Sequence, residues 1–400
     1  MALSRYNATS GLLGQGKENV EGIRVKPGIL KTRQPLHGAL GNISNAIKSH
    51  TLEQKKSLKD ATNVVQKPSR VPVKRLTDVS AKEKSDCKLV SVKEDKKEVK
   101  TDSEIPAEKE TVQSYSKELL TVQDIDRNDT DNPQLVSEYV NDIYDYMREL
   151  EARYPIKHKY LDGSEINGRM RGILVDWLVQ VHLRFHLLQE TLYLTVAIID
   201  RFLQVHSVAR NKLQLVGVTA MWIASKYEEM YAPEVADFVY ITDNAYTKAD
   251  IRKTECIMLK ALDFSLGRPL PLHFLRRNSK AGEVDATQHT MAKYFMELTI
   301  TDYEMASTPP SKLAGAALCL SMKLLEMKTW NDTLQHYSKY TEDDLRPVME
   351  RIALLVTKAG TGKLTAVKTK YQSSKFMRIS QMPELSSQLI KDLAAAAQNN

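Results

Sequence analysis

The sequence predicts an all-α fold of two related helical bundles in tandem behind a disordered tail, and three observations predict it. Residues 1–132 hold no Trp or Phe and only two tyrosines, Tyr6 and Tyr115, while Lys, Glu, Ser, Asn and Asp crowd them. Such a segment buries too little apolar surface to offset its chain entropy. From 133 onward apolar residues recur at helical spacing, with almost no turn signals between Arg169 and Glu229. Finally, Tyr246-Thr247-Lys248-Ala249-Asp250-Ile251-Arg252 returns as Tyr340-Thr341-Glu342-Asp343-Asp344-Leu345-Arg346. In each copy the Thr can cap a first turn while the Asp three residues on reaches back, so one start signal opens two apolar helices.

Each element follows from its pattern. Val136, Tyr139, Val140, Ile143, Tyr144 and Met147 predict a leading amphipathic helix that stops before Pro155. Asn167-Gly168 precedes the next helix, whose stripe is Ile173, Leu174, Trp177, Leu178 and Val181; Leu192, Val196, Ile199 and Leu203 repeat the pattern. Leu213 to Met230 is apolar nearly all round and belongs at the centre of its bundle. Small-residue runs, Gly217-Val218-Thr219-Ala220 and Gly315-Ala316-Ala317, precede both repeats, where backbones can approach closely. The expected boundaries are a regulatory tail over 1–132, the leading helix with the first bundle over 133–265, the second bundle over 266–385 and a C-terminal segment over 386–400.

Composition and motifs exclude several functions. The net charge is +7 and the pI about 9.0, yet the basic residues of the tail alternate with acids, as in Lys93-Glu94-Asp95-Lys96-Lys97-Glu98. A surface that tracks phosphates needs an unmixed basic stripe with stacking aromatics, so no direct nucleic-acid partner is expected. Cys87, Cys256 and Cys319 lie far apart; neither a disulfide nor a metal is expected, and Cys256 and Cys319 fall in apolar helical patterns as small hydrophobes. No window approaches the ~18 apolar residues of a membrane span, so no membrane partner is expected and the location is cytoplasmic or nuclear. Gly360-Thr361-Gly362-Lys363 only mimics a phosphate loop, with Thr357 where the first Gly belongs and Leu364 where a hydroxyl belongs. His182, His186 and His206 have no second ligand at metal spacing. Neither enzymatic activity nor a cofactor is expected, which leaves surface recognition.

The run Met170-Arg171-Gly172-Ile173-Leu174-Val175-Asp176-Trp177-Leu178-Val179-Gln180 resembles the cyclin box, as do Tyr193 to Leu203, Lys212 to Glu229 and Arg268 to Arg277. The similarity is to B-type mitotic cyclins. It implies two five-helix bundles and a regulatory subunit that binds and activates a mitotic cyclin-dependent Ser/Thr kinase at the G2/M transition. By resemblance Lys226 and Glu255 grip the kinase, with Tyr227, Leu259 and Phe264 supplying apolar contact and Tyr139, Ile143 and Tyr146 adding the leading helix. Spacing alone reads the two charges as a snorkelling Lys and a solvated Glu.

The resemblance also implies three recognition features. Met170, Ile173, Leu174, Trp177 and Gln180, with Leu213 and Gln214, correspond to a shallow groove for Arg-x-Leu segments; spacing alone reads the apolar members as core. Gln180 stands where some cyclins place an acid, so affinity for the Arg should be lower than in S-phase cyclins. Gly172 replaces the usual Ala, at a cost of ~0.5 to 1 kcal/mol of helix stability. Arg276, His289 and Lys293 correspond to a site for phosphorylated partners, where spacing alone gives separate solvated charges. In the tail, Lys17-Glu18-Asn19 matches the KEN degron, and His37, Leu40, Ile43 and Asn45 resemble a destruction box with His in place of Arg; Arg33 and Leu36 offer a shorter R-x-x-L. These motifs imply an anaphase-promoting ubiquitin ligase as partner and degradation at mitotic exit, and the family resemblance implies a cytoplasmic and nuclear protein that shuttles at mitosis. A cyclin-fold transcription or nucleic-acid-binding assembly factor is the alternative, suggested by the pI.

Overall fold

Val136 carries a φ of 52°, a conformation a β-branched residue cannot hold within a helix. The leading helix therefore begins later than its apolar pattern predicts, as α1 (Val140–Arg153). This computed structural model describes residues 122–325 and 329–399. The degron residues Lys17, Glu18, Asn19, Arg33, Leu36, His37, Leu40, Ile43 and Asn45, like Cys87, lie outside them.

Local caps start the helices that follow. Asn167 Oδ1 accepts the Met170 N–H at 3.0 Å and opens α2 (Gly168–Arg184). Next come α3 (Gln189–Val205), α4 (Leu213–Glu228) and α5 (Val235–Ile241). Thr247 Oγ1 accepts the Asp250 N–H at 3.1 Å while Asp250 accepts the Thr247 N–H at 2.9 Å, and α6 (Lys248–Ala261) begins. The second bundle runs through α7 (Pro271–Ala281), α8 (Ala286–Thr299), α9 (Pro310–Leu325), α10 (Asp332–Ser338) and α11 (Glu342–Ala359). The repeated box opens α11 at nearly the same distances, 3.2 and 3.0 Å between Thr341 and Asp344. Short α12 (Ala366–Lys370) and α13 (Gln388–Asn399) follow. All thirteen are α-helices, and no strand occurs among the described residues.

The two bundles have one plan of five helices each, α2–α6 and α7–α11. α4 packs against α2, α3, α5 and α6, and α9 packs against α7, α8, α10 and α11. Eleven of the sixteen residues of α4 are buried, as its all-round apolarity predicts. The small-residue runs do allow close approach. A Cβ on Gly217 would stand 2.7 Å from a Leu174 methyl, and one on Gly315 would stand 3.1 Å from Leu345.

Charged side chains seal the junction between the bundles. Arg171, 1% exposed, donates from Nε and Nη2 to the two Asp200 carboxylate oxygens at 2.7 Å each, and from Nη1 to the Ile300 carbonyl at 2.8 Å. Tyr160 donates to Asp200 at 2.7 Å. A second pair joins the C-terminal segment: Lys370 Nζ reaches both Glu297 oxygens at 2.7 and 2.8 Å, and the Tyr371 hydroxyl donates to Glu297 at 2.8 Å. Breaking a buried pair of this kind typically costs about 3 to 5 kcal/mol, because one charge is left uncompensated.

Two expectations need correction, and three others gain detail. The tail does not extend to 132, because residues 122–132 are docked: Asp126 accepts from Arg277 at 2.6 Å through both oxygens and from Lys280 at 2.8 Å. α1, which precedes the first bundle in sequence, is tied by its hydrogen bonds to the second. Tyr144 donates to the His273 carbonyl at 2.9 Å, Arg148 to the Tyr337 and Ser338 carbonyls, and Glu151 accepts from the Ser311 N–H at 3.0 Å. The C-terminal segment beyond 385 packs onto the second bundle, with α13 along α11. Cys256 is exposed and not a core residue, whereas Cys319 is buried. Gly172 is also more than a weak helix former: a Cβ there would come 2.9 Å from the Thr301 carbonyl oxygen, so its missing side chain lets the second bundle close on α2.

Candidate partner-binding surfaces

α4 and α6 lie side by side, and that packing brings Lys226 to Glu255. The ammonium hydrogen-bonds the carboxylate and also sits 3.8 Å from the centroid of the Trp222 ring. Lys226 remains 41% exposed and Glu255 13%, so the pair is worth only about 0 to 1 kcal/mol to the fold. Around it the surface is apolar and open. Tyr227 and Phe264 are exposed, and Leu259 is half-buried. Phe264 follows Asp263 in left-handed backbone, with φ values of 54° and 50°, a conformation that costs about 1 to 2 kcal/mol per residue.

On α1, Tyr139 caps the helix and shares a stripe with Ile143 and Tyr146 (i, i+4, i+7). Both tyrosines are exposed and Ile143 is half-buried. Tyr144, Arg148 and Glu151 repeat the same spacing on the face that holds the second bundle, so α1 is anchored by one stripe and presents the other. Pattern reading missed Met230, Tyr231 and Ile257, which are also exposed. The signal was available, since large apolar side chains flanking Lys226 and Glu255 have no core role there.

The expected Arg-x-Leu face is shallower than its spacing suggests. Leu174, Trp177 and Leu213 are each 5% exposed, with Leu174 filling the space above Gly217. These three belong to the core, and the open part of the face is Met170, Ile173 and Gln214, all half-buried, with exposed Gln180. The Gln180 side chain hydrogen-bonds Asp176, whose carboxyl burial raises against that bond and one from the Ala366 N–H.

Arg276, His289 and Lys293 do share one neighbourhood, because α7 and α8 pack together. Burial, then Lys293, then Arg276 push His289 down to about 4, and Lys293 is also held below its ordinary value, by burial first. His289 Nδ1 lies 2.8 Å from Ser279 Oγ. The neighbouring Arg277, which the sequence groups with Arg276, points elsewhere. It binds Asp126 and Asn141, with its guanidinium 4.7 Å from the Tyr337 ring centroid.

The described helices match two domain families over most of their length: Cyclin, N-terminal domain, at residues 142–267, and Cyclin, C-terminal domain, at residues 269–385. A G2/mitotic-specific cyclin-B of Patella vulgata is 69% identical over 70% of this chain and 69% of its own. A G2/mitotic-specific cyclin-B2 of Anguilla japonica is 53% identical over 91% of this chain and 92% of its own. The chain belongs to the B-type cyclins. Among solved structures, a viral cyclin from herpesvirus saimiri covers 52% of this chain and 97% of its own at a TM-score of 0.47 and 18% identity. In cyclin terms, α2–α6 and α7–α11 are the two cyclin boxes, and the matched families meet between 267 and 269, in the link from α6 to α7.

Proposed function

We propose that this cyclin is the non-catalytic regulatory subunit of a mitotic cyclin-dependent Ser/Thr kinase, acting at the G2/M transition. The observation that carries the reading is an exposed apolar surface around a solvent-accessible Lys226–Glu255 pair, in a chain of B-type cyclin sequence. Tyr227, Leu259 and Phe264 supply the apolar part of the kinase contact, and Tyr139, Ile143 and Tyr146 add the exposed stripe of α1. The partner gains activity because binding energy favours one of two kinase states, in which a mobile helix brings its Glu to the ATP-binding Lys.

Substrates dock by Arg-x-Leu segments at the open rim of α2 and by phosphorylated groups at Arg276, His289 and Lys293. The tail motifs recruit the anaphase-promoting ubiquitin ligase, and the complex works in both cytoplasm and nucleus. The deciding experiment mixes the full chain with inactive monomeric mitotic kinase and follows histone phosphorylation. Activation that disappears in the Lys226→Ala/Glu255→Ala chain supports the reading. Absence of activation by the folded wild-type chain, with salt-sensitive DNA binding in its place, would turn it toward a nucleic-acid assembly factor.

A further inference from the structure

Arg276 is already occupied. Its Nη2 donates to Glu190, in the first turn of α3. Burial would raise the Glu190 carboxyl, but Arg276 and the residue's own backbone N–H hold it below the ordinary carboxylate range. No hydrogen bond to Lys293 is seen among the described residues; burial lowers it first, Glu297 and Glu190 offset that, and Arg276 and Lys370 add to it. His289 is kept neutral by its burial and then by Lys293 and Arg276. Burial and then repulsion from Glu190 and Glu229 raise Glu228, and Arg276 lowers it. Of the carboxylates around the cluster, Glu190 is bonded to Arg276 and Glu297 to Lys370, and neither is hydrogen-bonded to Lys293.

We propose that Glu190 is an internal gate on this anion site, occupying Arg276 until a phosphate dianion displaces it, so that the site accepts phosphorylated side chains and refuses Asp or Glu in their place. The inference rests on the phosphate-binding reading above. An incoming carboxylate offers Arg276 the group that Glu190 already supplies, and the exchange leaves Glu190 without its cation beside the like charge of Glu228, with nothing gained. A phosphate brings about −1.5 to −2 charges and three strong acceptors. It can hold Arg276 and still give Lys293 a hydrogen-bonded counter-charge, which neither Glu190 nor Glu297 supplies.

The test uses the full chain, its Glu190→Gln variant and three versions of a short fluorescent peptide carrying phosphoserine, Glu or Ser at one position, read by anisotropy. Wild type should bind the phosphoserine peptide and not the Glu peptide. Glu190→Gln should bind the phosphoserine peptide about five- to tenfold more tightly, a change of about 1.4 kcal/mol at tenfold, and should begin to bind the Glu peptide. Glu190→Asp, which keeps the charge but shortens its reach, should fall between them and covers the case in which the Gln variant folds poorly. Equal phosphoserine affinity in all three chains would overturn the gate and leave the phosphate site standing. Equal binding of the Ser and phosphoserine peptides by every chain, or binding of neither, would remove the phosphate reading and the gate with it.

Discussion

Single residues carry opposed duties in this cyclin, and the clearest case is Gly172. Ala is the better helix former by roughly 0.5 to 1 kcal/mol, yet its Cβ would meet a backbone oxygen at 2.9 Å. Overpacking against backbone costs about 1 to 3 kcal/mol, so the steric term wins. Gly172→Ala should lower the urea midpoint, and a midpoint that rises would show that helix propensity dominates there. Histidines give a second prediction. His182 is held near 3, by burial and then Lys370, while its Nε2 donates to the Leu188 carbonyl at 3.0 Å. His273 and His289 are held near 4. All three folded values lie below the unfolded value of about 6.5, so the unfolded chain binds more protons once pH falls beneath it. Stability should therefore decline from pH 6.5 toward 4, by about 1 kcal/mol per histidine at pH 5.5. Equal urea midpoints at pH 7.5 and 5.5 would refute this.

Among elements, α1 shows best what sequence could and could not supply. Its apolar spacing and its end before Pro155 were legible, because both are local. Its start and its partner bundle were not, since Arg148, Glu151 and Tyr144 meet backbone and side chains more than a hundred residues away. The docked segment 122–132 was hidden for the same reason: Asp126 looks like any solvated acid until Arg277 appears opposite. Burial would raise Asp126, but hydrogen bonds from Arg277 and Lys280 outweigh it and hold the carboxyl below its ordinary range. The clamp is thus complete above pH ~4 and is lost as pH falls through the depressed value. At neutral pH, Arg277→Ala should free residues 122–132, seen as proteolytic cleavage there with the bundles intact. Unchanged protection would mean that backbone contacts, such as the Gln123 N–H to Thr333, suffice. The capping boxes at Thr247 and Thr341 were fully readable, since each lies within four residues.

For the whole molecule, the tandem plan was legible from the repeated start signal, while the seal between bundles was not. Arg171 and Asp200 fall within recognisable motifs, but nothing in a linear pattern says that they meet each other and the Ile300 carbonyl. The candidate surfaces divide in the same way. Lys226 and Glu255 were legible as single charges but their contact with each other was not, and Leu174, Trp177 and Leu213 turned inward, with Leu174 over Gly217, as spacing alone reads them. Loss of Asp200 would leave the Arg171 charge buried and unpaired. Asp200→Ala should cost about 3 to 5 kcal/mol, and a loss below 1 kcal/mol in chemical denaturation would show that water reaches the site.

The packing of α13 along α11 also fixes a number. Positions in α6 correspond to those 94 residues on in α11, since the capping threonines are 247 and 341 (341 − 247 = 94). Glu255 and Leu259 thus correspond to Met349 and Ala353, which are 3% and 0% exposed. Two boxes of one plan would suggest two kinase seats, but the second has no acid and is sunk beneath its neighbours. One chain should therefore recruit one catalytic subunit. A sedimentation mass with two kinases per cyclin would contradict that stoichiometry.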